Sequence, residues 1–523
     1  MKLMTSISAF KHGMRYQPAI VLVILALGLA SCSTPETVVV NKTPESATKP
    51  GQYNPSQASK TTTQTLNYGE TNKIESLDPL FAHNNATFRV IDLMYEGLVG
   101  LNDHGEVVPR IAKSWDVSAD SLTYIFHLNP DIYFQDNEVF NSGRGRLIRA
   151  SDVAFDLTRT AKNNVPGYAS KLFMDIHGYD TYYKEQHQIF DQSARVLKNI
   201  PGIQAVNDST LKITLDIPDP NLLYKLASPY AVVYPPEAVS YTAQGLDTKL
   251  GEQNLGLTVN PVGSGPFTFD HSEGDSVYVF VKNDNYWRTV NGDTLPTLDG
   301  VDVYQFSNAR RLFRAFTTGT ISYIPNVGPD LLESLLDDSG NLKPGYASKF
   351  NLSALPGRNL VELYYNPIND QHVGMDEATG ISQQFNPKSY TSNIGKNTID
   401  ILYEKPAPSG KTAMSDTSKT IFIANTEDAT RLNLIRSFIT SLTANWQVRR
   451  FQSLVISRAV TFYTKEPAMF APDSSIDKSD NLLLALAYKR YSLTKDGIIG
   501  LHYNNFSWWQ DLSQASISTG VRP

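Results

Sequence analysis

The sequence predicts a strand-rich α/β fold with mixed sheets, and three observations predict it. The stretch 261–287 places two glycines and two prolines before Phe267–Phe269. After a Glu273-Gly274-Asp275 turn, Val277, Val279 and Val281 alternate with Tyr278, Phe280 and Lys282, the pattern of a β-hairpin. The stretch 112–134 alternates in the same way, with Thr123, Ile125 and His127 on one side and Leu122, Tyr124, Phe126 and Leu128 on the other. Helical spacing appears between such strands: Phe88, Ile91, Met94, Tyr95 and Leu98 share one side of a helix predicted over 87–98.

Taken in order, the chain opens with Lys2, Lys11 and Arg15 ahead of an apolar run, Ala19–Ala30, too short to span a membrane comfortably. That run ends in Leu29-Ala30-Ser31-Cys32, and Cys32 is the only cysteine, so no intrachain disulfide framework exists. Residues 33–64, rich in Ser, Thr, Pro, Asn and Gln, read as a flexible tether. Folding is expected from a short strand at Thr65–Gly69, followed by a Leu77–Leu80 turn and the 87–98 helix, with Asn85 or Thr87 as N-cap and Gly97 or Gly100 as stop. Ser151 is the expected N-cap of a helix through Leu157. Strands are expected at Asp208–Asp216, Leu298–Val303, Asn359–Asn366 and Thr420–Ala424, and a helix at Asp428–Ala444, where Leu432, Ile435, Phe438, Ile439 and Leu442 keep helical spacing.

Composition narrows the function. A chain of 523 residues, 41% hydrophobic and 19% charged, can bury a large core, and a net charge of −6 supplies no electrostatic reason to bind nucleic acid. The nine histidines include no H-x-x-x-H pair, and neither a G-x-S-x-G elbow nor a phosphate-binding P-loop is present. No catalytic residues, metal ligands or cofactors are assigned. The Arg310-Arg311 pair reads as a solvated helix face.

Several motifs carry a resemblance. The segment A-x-S-W-x-x-S-x-D-x-x-T-Y-x-F-x-L (112–128), the P-V-G-S-G-P-F run at 261–267, N-x-N-Y-W at 283–287 and the opening L-D-P followed by 94–115 resemble the extracellular solute-binding proteins of the peptide/nickel class, family 5. The resemblance covers 65–366 and thins beyond. Phe134-Gln135-Asp136-Asn137 and Asp156 depart from the family's pattern, a change expected to alter a surface loop. It implies a two-lobed, periplasmic-binding-protein-like fold of class II type with a hinge. A first lobe would cover 65–325, with an extra subdomain at about 111–200. An atypical or shortened second lobe (326–495) and a return to the first lobe (496–523) would follow. The N-terminus is similar to a bacterial lipoprotein signal (1–32) with Cys32 as lipidation site; Ser33 then argues against retention in the inner membrane of a two-membrane cell. The implied function is a lipid-anchored monomer in the cell envelope, on its periplasmic or extracellular face. It would capture oligopeptides or similar solutes for an ABC permease and perform no chemistry of its own. A non-transporting ligand sensor or interaction lipoprotein on the same scaffold is the alternative. By positional analogy the ligand-binding candidates are Tyr68, Glu70, Tyr364, Asn366, Tyr503 and Trp508; packing in the core is the competing reading for each.

Overall fold

The computed structural model describes residues 64–240, 256–337, 339–365, 399–404, 421–424, 447–450, 461–463, 482–504, 506 and 508–518. Strand β1 (Thr65–Glu70) buries Leu66 and Tyr68 completely, as alternation requires of a central strand. Gly69 is fixed by crowding: a β-carbon there would lie 2.4 Å from Leu312 Cδ1 and 2.6 Å from Ile321 Cδ1. Helix α1 (Asn85–Met94) starts two residues earlier than expected, with the Asn84 side chain accepting from the Thr87 amide, and stops four residues sooner. Tyr95 is extended, and Glu96–Gly97 pairs instead with Val232–Val233. The stop is set from far along the chain. Gly265 donates its amide to Met94 O at 2.8 Å, and a β-carbon on Gly265 would stand 2.5 Å from the Met94 carbonyl carbon. The glycines of the 261–267 run are therefore a seat for the end of α1.

A small hairpin, β2 (Val99–Leu101) with β3 (Val107–Pro109), leads into a four-stranded antiparallel sheet. Its strands are β4 (Ala112–Val117), β5 (Thr123–Leu128), β6 (Ile203–Asn207) and β7 (Thr210–Thr214), in spatial order β4-β5-β7-β6. Tyr124, Phe126 and Leu128 of β5 are buried, on the face alternation assigned to them. The strand expected over 208–216 is present as β7, and it closes a hairpin with β6, because the Asn207 carboxamide accepts from the Ser209 amide and turns the chain there.

Phe134–Asn137 is not merely a surface loop. Gln135 is buried, its amide nitrogen donating to the carbonyls of Gly265 (3.1 Å) and Phe267 (2.8 Å) and its backbone amide to Gly263 O. This departure from the family's pattern ties the subdomain strands to the glycine seat.

Helix α2 (Ala150–Thr160) is capped at Arg149, not Ser151. Asp152 reaches back to the Arg149 amide (2.9 Å) while Arg146 bridges Asp152 and Glu237, so a carboxylate in the first turn does the work expected of serine. One turn on, Asp156 accepts the Tyr234 amide through Oδ2, and its buried Oδ1 finds no partner among the described residues. Burial is the main cause that lifts the Asp156 carboxyl well above the ordinary aspartate range, with the Tyr234 amide opposing it. A folded-state value above the unfolded one means that the stability contributed is complete below the unfolded value and lost as pH rises through the folded value. Asp156→Asn keeps the acceptor and removes the charge. It should therefore flatten the loss of stability with rising pH above the ordinary aspartate range, as urea unfolding at a series of pH values would measure; an unchanged slope would sink this reading.

Strands β8 (Phe267–Glu273) and β9 (Val277–Lys282) form the expected hairpin around Gly274, whose φ of +57° suits glycine. Of β9 only Phe280 is fully buried, because the hairpin is partly covered on both faces. Next come β10 (Gly300–Gln305), α3 (Ala309–Thr318) with Asn308 as N-cap and Gly319 at φ +90° as its stop, and β11 (Tyr323–Ile324). Arg310 and Arg311 are exposed.

Two long strands follow, β12 (Phe350–Tyr365) and, after β13 (Ile399–Glu404), β14 (Ile421–Ala424), β15 (Gln447–Arg450) and β16 (Thr461–Tyr463), the strand β17 (Leu482–Lys495). Among the described residues the principal sheet has eleven strands, in order β8-β9-β10-β1-β11-β17-β12-β16-β14-β15, with β13 also on β17. The antiparallel β12–β17 pair runs from Phe350↔Lys495 to Tyr364↔Leu482, with a register shift between Leu355 and Asn359. The strand returning beside β12 is thus β17; among the described residues after it, Ile498–Ile499 pairs with Ser516–Ile517, and Tyr503, Asn504, Phe506, Trp508 and Trp509 lie outside any strand. The helix expected at 428–444 lies outside the described residues.

Candidate functional site

Strand β1 runs parallel to β10 on one side and to β11 on the other, so three strand ends emerge together after Glu70, Gln305 and Ile324. The carboxyl edge of such strands is where open α/β sheets take ligands. Two of the sequence-predicted residues, Tyr68 and Glu70, stand there, and both are buried. Arg89 of α1, itself fully buried, brings Nε and Nη2 each to 2.7 Å from Glu70 Oε1. Tyr68 packs edge-on against Tyr323 with ring centroids 6.0 Å apart. Burial first, then the Glu70 charge, holds the Tyr68 hydroxyl well above its usual range, against Arg89 and the Gln510 amide, so the ring stays a neutral phenol.

Behind this edge the polar residues continue as a seam. The Gln510 backbone amide serves Asp92. Burial is the leading influence on Asp511, yet Arg288 and Arg110 prevail and keep its carboxylate ionised, with Arg288 Nη1 2.9 Å from Oδ2. Glu96 accepts from Tyr286 Oη at 2.8 Å and from Trp287 Nε1. The N-x-N-Y-W motif therefore clamps the chain after α1. Among the described residues no group of three or more His, Cys, Asp or Glu could hold a metal ion. The strand edge itself is packed: Tyr68, Tyr323, Glu70 and Arg89 are all buried, their rings in contact and their charges compensated.

A family model settles what scaffold this is: the bacterial extracellular solute-binding proteins, family 5, match residues 106–373, more than half of the chain. The chain belongs to that family. Family 5 consists of binding proteins rather than enzymes. Among curated relatives, the oligopeptide-binding protein AmiA of Streptococcus pneumoniae is 28% identical over 258 residues, 48% of this chain and 35% of the relative. The dipeptide-binding protein of Escherichia coli is 26% identical over 317 residues, 59% and 52% of the two chains. The matched stretch thus spans about a third to a half of these relatives' length. Solved structures share the fold. Listeria monocytogenes OppA bound to peptide superposes with a TM-score of 0.59 at 16% identity, covering 88% of this chain and 100% of that one. The Escherichia coli murein tripeptide binding protein MppA gives 0.61 at 15%, covering 87% and 99%.

In this family-5 chain the remaining candidates fall at different places. Tyr364 lies near the end of β12, opposite Tyr463 and Leu482, and Asn366 lies outside the described residues. Trp508 is buried against Phe506, centroids 5.7 Å apart, and Phe506 meets Tyr224; Tyr503 is half-buried in the same loop. Tyr68 and Glu70 are brought together, whereas Trp508 belongs to an aromatic cluster of its own. Sequence reasoning missed Arg89, Tyr323 and Gln510. A signal for Arg89 existed: a lone cation between Phe88 and Val90 on an apolar helix.

Proposed function

We propose that this protein is the solute-binding component of an ABC importer, capturing oligopeptides or similar solutes between two lobes and passing them to a permease without transforming them. The observation that carries the reading is the family-5 match over 106–373. The paired crossing strands β12 and β17 and the cluster at the carboxyl end of β1 support it. Cys32 is the lipid anchor and 33–64 the tether, holding the protein in the cell envelope on the periplasmic or extracellular face. Among the described residues no helix is long and apolar enough to cross a membrane. Tyr68, Glu70, Tyr364, Asn366, Tyr503 and Trp508 are proposed as the ligand-facing set, with Glu70 acting through its pairing with Arg89. Calorimetry with a panel of di- to octapeptides should give saturable binding, at about micromolar dissociation constants worth roughly 8 kcal/mol. Silence across those peptides and across nickel complexes would overturn the reading.

A further inference from the structure

A cleft lies between the β2–β3 hairpin and the C-terminal segment. It has a volume of about 370 Å³, within the range of small-molecule sites, and Arg110, His104, His502, Trp509, Asp511 and Gln514 border it. A smaller cavity of about 60 Å³ shares Arg110, Arg288, Trp509 and Asp511 with it.

Each acid at this cleft already has a partner: Asp511 takes Arg288 on Oδ2 and the Ser513 amide on Oδ1, and Asp103 takes His502 Nδ1 at 2.6 Å. The donors of Arg110 are largely unspent. Arg110 forms no ion pair among the described residues, and its guanidinium donates only to the carbonyls of Pro109 (3.2 Å) and Leu101 (3.0 Å), leaving the rest of its five N–H groups unspent. The side chains of His104 and Gln514 likewise make no hydrogen bond among the described residues.

Arg110 is also held in place. It lies across Gly100, where a β-carbon would come within 2.9 Å of Arg110 Cγ and 3.0 Å of Nε. A side chain at position 100 would therefore press on the arginine's stem and push it aside.

We propose that this cleft is a second ligand site, for a small carboxylate-bearing molecule whose carboxylate sits on Arg110. Guanidinium and carboxylate match as a planar, two-point pair, and Gln514 and His104 supply further donors to the same anion. The carboxylate could be that of a free organic acid or the C-terminus of a short peptide; both present the same group.

Titrating succinate, Gly-Gly and Gly-Gly amide into the full chain by calorimetry tests it. Succinate should bind saturably, and Arg110→Gln should weaken it about ten- to a hundredfold, as loss of a charge-assisted pair does. Gly100→Ala, which displaces the guanidinium while leaving it in the protein, and Gln514→Ala, which removes a donor, should weaken it as well. Either decides the matter should Arg110→Gln not fold. Gly-Gly binding that is lost in its amide and in Arg110→Gln, without succinate binding, would assign the carboxylate to a peptide terminus. No saturable binding of either carboxylate, or binding untouched by all three substitutions, overturns the proposal. Oligopeptide binding measured on Gln514→Ala should be unchanged, so failure here and failure of the capture reading remain separate results.

Discussion

Arg89→Ala should destabilise the fold by about 3–5 kcal/mol, because it strands a buried carboxylate. Glu70 and Arg89 are 4% and 1% exposed at their side chains, and Nε and Nη2 both meet Oε1 at 2.7 Å. Alanine removes the countercharge and leaves Glu70 beside Tyr68, another group whose ionisation burial opposes. Lost packing of the arginine stem contributes in the same direction but is the smaller part. The two causes separate in a double variant. Glu70→Gln with Arg89→Met removes both charges and keeps most of the volume, and replacing a buried pair in this way is often neutral. Chemical denaturation of wild type, Arg89→Ala and the double variant should therefore place the double close to wild type. A double variant as unstable as Arg89→Ala would mean that packing, not charge, holds this edge. Peptide titration of the double variant adds a functional readout: if Glu70 shapes the ligand edge, affinity falls although stability does not.

Much of the scaffold was legible because its local signals agree with its tertiary environment. The alternation of β5 named its buried face correctly, and the turn residues around Gly274 located the β8–β9 hairpin. What stayed hidden was decided at a distance. The end of α1 answers to Gly265, some 170 positions away in sequence, so no residue near Tyr95 announces it. The first half of β12 was unreadable because Pro356-Gly357 looks like a turn, whereas the pairing with β17 continues across it through a register shift. At the site, β1 and the family resemblance indicated the position of Glu70 but not its partner. An arginine on a helix is far more often solvated than buried, and only the sheet packed beneath α1 reveals where Arg89 goes.

Arg159→Ala is the second large effect expected, again about 3–5 kcal/mol, and it acts where the resemblance-bearing L-D-P motif meets α2. The Asp78 side chain is 1% exposed; Arg159 Nη1 lies 3.0 Å from Oδ1 and Nη2 contacts Oδ2, while Nη1 also donates to the Tyr234 hydroxyl at 3.0 Å. Burial opposes the Arg159 charge, yet the surrounding acceptors raise its pKa further, so the guanidinium is charged throughout the accessible pH range. Removing it leaves the Asp78 carboxylate with one fixed partner, the Leu80 amide at 3.2 Å, which is a capping bond worth about 1 kcal/mol and cannot offset a buried charge. Asp78→Asn in the Arg159→Ala background removes the stranded charge and should recover stability at pH 7. A deficit untouched by Asp78→Asn would show that the arginine acts through its stem against Tyr234, and not through its charge.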